Sequence, residues 1–154
     1  MKRKFIPVLL ATVLSAGFAL HSLTASATLK PGDTAPDFTT QASLGGKTYT
    51  YTLADELKKG PVVLYFYPAA FTKGCTIEAH EFADAVDEYK KYGATVIGAY
   101  DAGMPMHNSM ANRVSYVIAP DGKIIYEYTS LSPDKHVENT LEAVKQWAAT
   151  HKSQ

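Results

Sequence analysis

The chain has one cysteine, Cys75, in 154 residues. No internal disulfide can form, which excludes a small disulfide-stapled scaffold. Charge of one sign is also lacking, with 15 basic against 15 acidic residues. That balance leaves no electrostatic footprint for nucleic acid or anionic lipid. There is no internal repeat and no low-complexity tract. Long apolar runs are scarce too. The longest, "FIPVLLATVLSAGFAL", follows "MKRK" and precedes "ASA" ending at Ala27. It is short for a membrane span of roughly 20 residues and contains Pro7. A basic start, an apolar middle and small residues before a cleavage point are the layout of a secretory signal peptide. Residues 1–27 are therefore expected to be removed, which leaves one domain over residues 28–154 that is periplasmic or secreted. Removal takes Lys2, Arg3 and Lys4 but no acidic residue, so the remainder is net acidic.

"PVVLYFYP", residues 61–68, is apolar, β-branched and aromatic between two prolines, as expected of a strand buried on both faces. "CTIEAHEFADAVDEYKKYG" then has helical spacing, with Ile77, Phe82, Val86 and Tyr89 on one face and Gly93 beyond its end. "ATVIG", 94–98, reads as a second short buried strand. "RVSYVIA" and "KIIYEYT" flank "PDG" and predict a hairpin over 113–129. In "SPDKHVENTLEAVKQWAATH", Ser132 is the expected cap and Pro133 the first helical residue. Val137, Leu141, Val144 and Trp147 are its expected core face. "LADELKK", 53–59, reads as a short helix, and the segments "TLKPGDTAPDF" and "ATHKSQ" as surface tails. A βαβ unit followed by a ββα unit is the α/β, thioredoxin-like arrangement.

Cys75 falls where the first strand has ended and the following helix begins. Unpartnered N–H groups and the positive end of the helix dipole favour a thiolate there, and the thiolate is the reactive form. Gly74 lets other groups approach closely. Thr72 can offer its hydroxyl to the same space, and Pro68 stiffens the strand exit. The alternative for Cys75 is a small buried hydrophobe.

"PAAFTKGC", residues 68–75, resembles the Pro-x-x-x-Thr/Ser-x-x-Cys signature of the peroxiredoxins. "GDTAPDF" at 32–38, "VVLYFYP" and "RVSYVIAPDGKI" are similar to three further segments of that family, in the same order. Within that family the segments resemble the bacterioferritin comigratory, or Q-type, branch. The resemblance implies that Cys75 is the peroxidatic cysteine of a thiol-dependent peroxidase acting on hydrogen peroxide and organic hydroperoxides. It implies that Thr72 bonds the thiolate and the incoming peroxide, that Arg113 stabilises developing negative charge, and that Pro68 shields the sulfur. No metal, haem or flavin is implied.

Two departures stand out. Where members of the branch often carry a second cysteine, five residues after the first, this chain has His80. The oxidised sulfur is then expected to depend on an external thiol such as thioredoxin, glutaredoxin or glutathione. Roughly thirty residues of the family pattern are also missing after Gly98, and a loop of about 14 residues spans the gap, near the upper end for a compact domain. That loop holds Met104, Met106, His107 and Met110, soft ligands that would suit Cu(I) in an exported protein. A copper-binding module, a catalytically impaired binding module and a cysteine–histidine hydrolase using His80, His107 or His136 are the alternatives. Glu78, one helical turn after Cys75, can either pair with an arginine near the pocket or sit on a solvated helix face, and it is not counted among the site residues.

Overall fold

The computed structural model describes residues 28–100 and 113–151. The expected signal segment 1–27 and the Met104–Met110 loop lie outside the described residues. In chain order the elements are β1 (Thr39–Leu44), β2 (Lys47–Thr52), α1 (Leu53–Leu57), β3 (Val62–Tyr67), α2 (Lys73–Lys91), β4 (Thr95–Tyr100), β5 (Val114–Ile118), β6 (Ile124–Thr129) and α3 (His136–Thr150). A four-stranded sheet has the order β4-β3-β5-β6. The β3–β4 pair is parallel, and β5 runs antiparallel to both β3 and β6. This is the expected α/β, thioredoxin-like arrangement.

The core follows from β3, whose side chains alternate between two faces. Val62, Leu64 and Phe66 join Val114, Tyr116 and Ile118 in a core closed by Phe38, Tyr51, Leu53 and Leu57. Val63 and Tyr65 point the other way, to Phe82, Tyr89, Val117 and Val144 beneath α2 and α3. Val62, Val63, Leu64 and Phe66 are fully buried. Each contributes roughly 1.5–3 kcal/mol through removal from water, so β3 anchors the fold and its exit is a rigid place for a reactive group.

Several local expectations change. Residues 39–52 form a hairpin, β1–β2, that the reading of the sequence did not contain. Its signal is Gly45-Gly46 between Thr- and Tyr-rich segments, and both glycines have positive φ (57° and 79°), as a two-residue hairpin turn requires. The stretch before it is not a loose tail. Ala35 and Phe38 are buried, and backbone bonds tie Gly32 to Ile124 and Ala35 to Gly122. Ile77 is exposed, and the buried face of α2 is Cys75, Glu78, Phe82 and Tyr89. The strand β4 runs on to Tyr100 and lies at the sheet edge, half-buried rather than buried. The last helix starts at His136, later than expected. Ser132 bonds Asp134 within a turn instead of capping the helix, and Lys135 turns the chain with φ 72°. Trp147 is half-buried and stacks on His151, with ring centroids 4.6 Å apart. Among the described residues, no helix is long and apolar enough to cross a membrane.

Candidate active site

The chain leaves β3 at Tyr67, passes Pro68 and enters α2 at Lys73. Pro68 is half-buried directly after the strand. Phe71 has φ 62° and is fully exposed, an uncommon backbone setting for an aromatic residue. Thr72 has the extended backbone of a helix cap (φ −88°, ψ 153°), and its carbonyl accepts the Thr76 N–H at 2.9 Å. Cys75 is the third residue of α2, inside the first turn, where helix N–H groups lack intrahelical partners. The residue is only 6% exposed, yet it lines an open groove of about 870 Å³.

Arg113 reaches this place through sheet register. On β5, Val114 pairs with Phe66 and Ser115 with Tyr65. Continuing by one residue sets Arg113 level with Tyr67, at the same end of the sheet as Cys75. Arg113 is 3% exposed. Its Nη2 donates toward the Cys75 sulfur at 3.5 Å, its Nε donates to the Leu131 carbonyl at 3.3 Å, and its Nη1 donates to Glu78 Oε2. Gly74 makes room for this approach, since a Cβ there would lie 3.3 Å from Nη2.

Burial pushes the Cys75 thiol up. Hydrogen bonds from Thr72, the Ala69 backbone and Arg113, with the arginine's charge, outweigh it and hold the thiol below its ordinary value. The Thr72 hydroxyl donates to the Ala69 carbonyl at 3.0 Å, so its proton has to turn from that carbonyl to serve the sulfur. Tyr65 and Tyr67 stand close enough for the cysteine's charge to help raise their phenols, burial being the larger cause in both.

The structure thus brings Cys75, Thr72 and Arg113 together, with Pro68 at the strand exit. Of the two alternatives for Glu78 it shows the arginine pairing: the residue is fully buried one helical turn from Cys75 and paired to Arg113. The signal was available in the spacing of Cys75, Glu78, Phe82 and Tyr89, which puts all four on one face. His136 also belongs here. It is fully buried, with Nδ1 2.8 Å from Ser115 Oγ and 3.6 Å from Glu78 Oε1. His80 is exposed on the groove wall. Among the described residues, no group of three or more His, Cys, Asp or Glu side chains is gathered to hold a metal ion.

The groove walls are mostly apolar and include Phe38, Ala42, Leu44, Ile97 and Ala99. Leu44, Phe71 and Tyr100 are among its exposed large side chains. The arrangement can hold a thiolate against a guanidinium, with apolar space beside the sulfur for the rest of a substrate.

A family model described as the AhpC/TSA family matches residues 31–112. The chloroplastic peroxiredoxin Q of Triticum aestivum is 31% identical over 147 residues, covering 74% of this chain and 66% of its own length. That of Arabidopsis thaliana is 31% identical over 152 residues, covering 77% of this chain and 68% of its own. Among solved structures, peroxidoxin BcpB of Mycobacterium tuberculosis is similar with a TM-score of 0.63 and 28% identity, over 77% of this chain and 97% of that one. The AhpC of Mycobacterium tuberculosis shares the fold, with a TM-score of 0.62 at 16% identity, over 82% of this chain and 97% of that one.

Proposed function

The chain belongs to the AhpC/TSA family, in its peroxiredoxin Q-like branch, and from that premise we propose that it reduces hydrogen peroxide and organic hydroperoxides with Cys75 as the attacking thiolate. The observation that carries the site assignment is the Arg113 guanidinium, 3.5 Å from the sulfur and pinned by two further bonds. The thiolate's electron pair attacks the terminal peroxide oxygen. An S–O bond forms, the O–O bond breaks, and negative charge grows on the leaving oxygen, which takes a proton and departs as water or an alcohol. The sulfur is oxidised to a sulfenic acid and the peroxide is reduced. Arg113 and Thr72 stabilise the charge where it appears, without reorganising during the step. The apolar groove supports organic hydroperoxides as substrates alongside hydrogen peroxide.

Cys75 is the one cysteine of the chain. The sulfenic acid therefore reacts with an external thiol, releasing water and forming a mixed disulfide, and a second thiol returns Cys75 to its reduced form. Thioredoxin, glutaredoxin and glutathione are the reductant classes that fit. The layout of residues 1–27 supports a periplasmic or secreted protein; a mature N-terminus at Thr28 on the exported product would test this. The function itself is tested by adding one equivalent of hydrogen peroxide anaerobically and following sulfenic acid with a dimedone-type probe. Labelling at Cys75 is expected. A thiol that is never labelled would leave the impaired binding module as the reading.

A further inference from the structure

Behind Cys75 lies a buried set of polar side chains that the peroxide step leaves unused. Glu78, Ser115 and His136 have no exposed surface. The Nε2 of His136 faces the Ser130 carbonyl at 3.2 Å. A carbonyl only accepts, so Nε2 carries the ring proton and Nδ1 is the bare acceptor. The Ser115 hydroxyl, 2.8 Å away, donates to Nδ1. Glu78 Oε2 accepts from Arg113, while Glu78 Oε1 has no hydrogen-bond partner and lies 3.6 Å from that same Nδ1. An ionised carboxylate would set its free oxygen against a bare nitrogen in a dry interior, leaving a buried charge half-satisfied. A proton on Glu78 Oε1 removes the buried charge, and Oε1 can donate it to Nδ1 when the Ser115 hydroxyl turns away from that lone pair and the 3.6 Å gap closes.

We propose that Glu78 and His136 hold one shared proton behind Arg113, and that this proton sets how the guanidinium divides its charge between Glu78 and the Cys75 sulfur. The inference rests on the reading of Cys75 as the reacting thiol. His136 is a positioning residue, since it touches neither the sulfur nor the substrate. With the proton in place, Glu78 is neutral and the arginine's charge faces the sulfur. Without it, Glu78 is a full carboxylate that draws the arginine toward itself and adds negative charge near the thiolate.

The groups facing the pair agree with this. On α2 these are Cys75 and Glu81, with Tyr65 on β3, Arg113 and Ser115 at β5, and Tyr128 on β6, whose ring meets His136 edge-on at 4.8 Å. On α3, Thr140 is occupied by the His136 carbonyl and the Tyr89 hydroxyl. Burial raises Glu78 to about 7 against the pull of Arg113. Burial also lowers His136 to about 4, with Arg113 adding to the effect. Both groups favour their neutral forms, so between these values the pair carries one titratable proton, on Glu78, beside the Nε2 proton of the neutral imidazole.

The test uses the whole chain. Single-turnover oxidation by hydrogen peroxide and alkylation of Cys75 by iodoacetamide are each followed from about pH 5.5 to 8.5. Once thiol ionisation is accounted for, the oxidation rate is expected to fall roughly three- to tenfold as the pH passes the ionisation of the pair. Glu78→Gln, which mimics the protonated acid, should abolish that fall. His136→Asn keeps an acceptor for Ser115 but holds no proton, and should move the midpoint by about one pH unit. In the parent protein, the nitrogen-15 signals of His136 should shift over the same interval, with no variant needed. A fall that both variants leave unchanged overturns the proposal, and so do His136 signals that do not respond to pH there. If no sulfenic acid forms at any pH, the peroxidase reading fails, while alkylation and nitrogen-15 titration still decide the shared proton.

Discussion

Arg113 places one nitrogen 3.5 Å from the Cys75 sulfur while a second nitrogen of the same guanidinium holds Glu78, so thiolate and carboxylate draw on one cation. Arg113→Met should raise the Cys75 thiol, seen in the pH profile of alkylation. It should also slow peroxide oxidation by roughly 100- to 1000-fold, the range for losing one preorganised donor. The substitution also leaves Glu78 buried without its cation, a change that costs about 3–5 kcal/mol when one partner of a buried pair is removed. Protonation of Glu78 limits this at low pH. The double variant Arg113→Met/Glu78→Gln should recover most of the lost stability in urea unfolding but not the rate. Equal rates for Arg113→Met and the parent would remove Arg113 from the site.

Turnover should depend on added thiol. Without it, one equivalent of peroxide is consumed, and mass spectrometry should find sulfenic acid passing to sulfinic acid or to a Cys75-linked dimer. With glutathione or thioredoxin, consumption should continue until the thiol is spent. Sustained consumption with no thiol present would contradict the single-cysteine cycle.

Stability should depend on pH in a way that shows only when the buried pair is broken. Glu78 binds a proton up to about pH 7 in the folded chain but only to its ordinary 4.5 when unfolded. Alone, it contributes stability that is full below 4.5 and lost as the pH rises through 7. His136 resists protonation down to about 4 when folded, against 6.5 unfolded. Alone, it contributes stability that is full above 6.5 and lost as the pH falls through 4. Between about 4.5 and 6.5 the folded chain has one proton on Glu78 and the unfolded chain one on His136, so the slopes cancel. Glu78→Gln should expose the histidine, with stability falling by up to about 1.4 kcal/mol per pH unit on acidification from 6.5. His136→Asn should expose the opposite slope. Urea midpoints across the interval measure both.

Gly98 on β4 is a contact that tolerates no side chain. A Cβ there would come within 2.4 Å of the Tyr65 ring, which is stacked on Phe82 with centroids 4.1 Å apart. Gly98→Ala should cost about 1–3 kcal/mol through overpacking and disturb the groove beside Cys75. Tyr65→Leu in the same background should relieve part of the loss. A denaturation midpoint for Gly98→Ala equal to that of the parent would show that Tyr65 moves freely.

The groove should discriminate among peroxides. Ile97→Asp or Phe71→Ser should lower the rate with cumene hydroperoxide more than with hydrogen peroxide, because the small peroxide needs no apolar wall. The ratio of the two single-turnover rates reads this directly, and an unchanged ratio would separate the groove from substrate choice.

The local pattern of the sequence determined most of the sheet and the place of the thiol. An uninterrupted apolar run marks β3 because a central strand is buried on both faces. "PDG" marks the β5–β6 hairpin because its turn chemistry is local, and Cys75 follows from where β3 stops and α2 starts. The hairpin over 39–52 had the same kind of signal in Gly45-Gly46, but its Thr-rich strands are largely exposed and lack the apolar alternation that marks a buried face. Helical spacing could place Glu78 on the inward face, but the tertiary structure decided which groups Glu78 and His136 meet there. A glutamate on a helix is solvated or buried according to what packs against that helix, and the guanidinium that compensates this one arrives from 35 residues away. His136 meets Ser115 and Glu78 only because α3 lies across β5 and α2. Helical periodicity can say which face turns inward, but which polar groups share a buried proton depends on distances set by three packed elements at once.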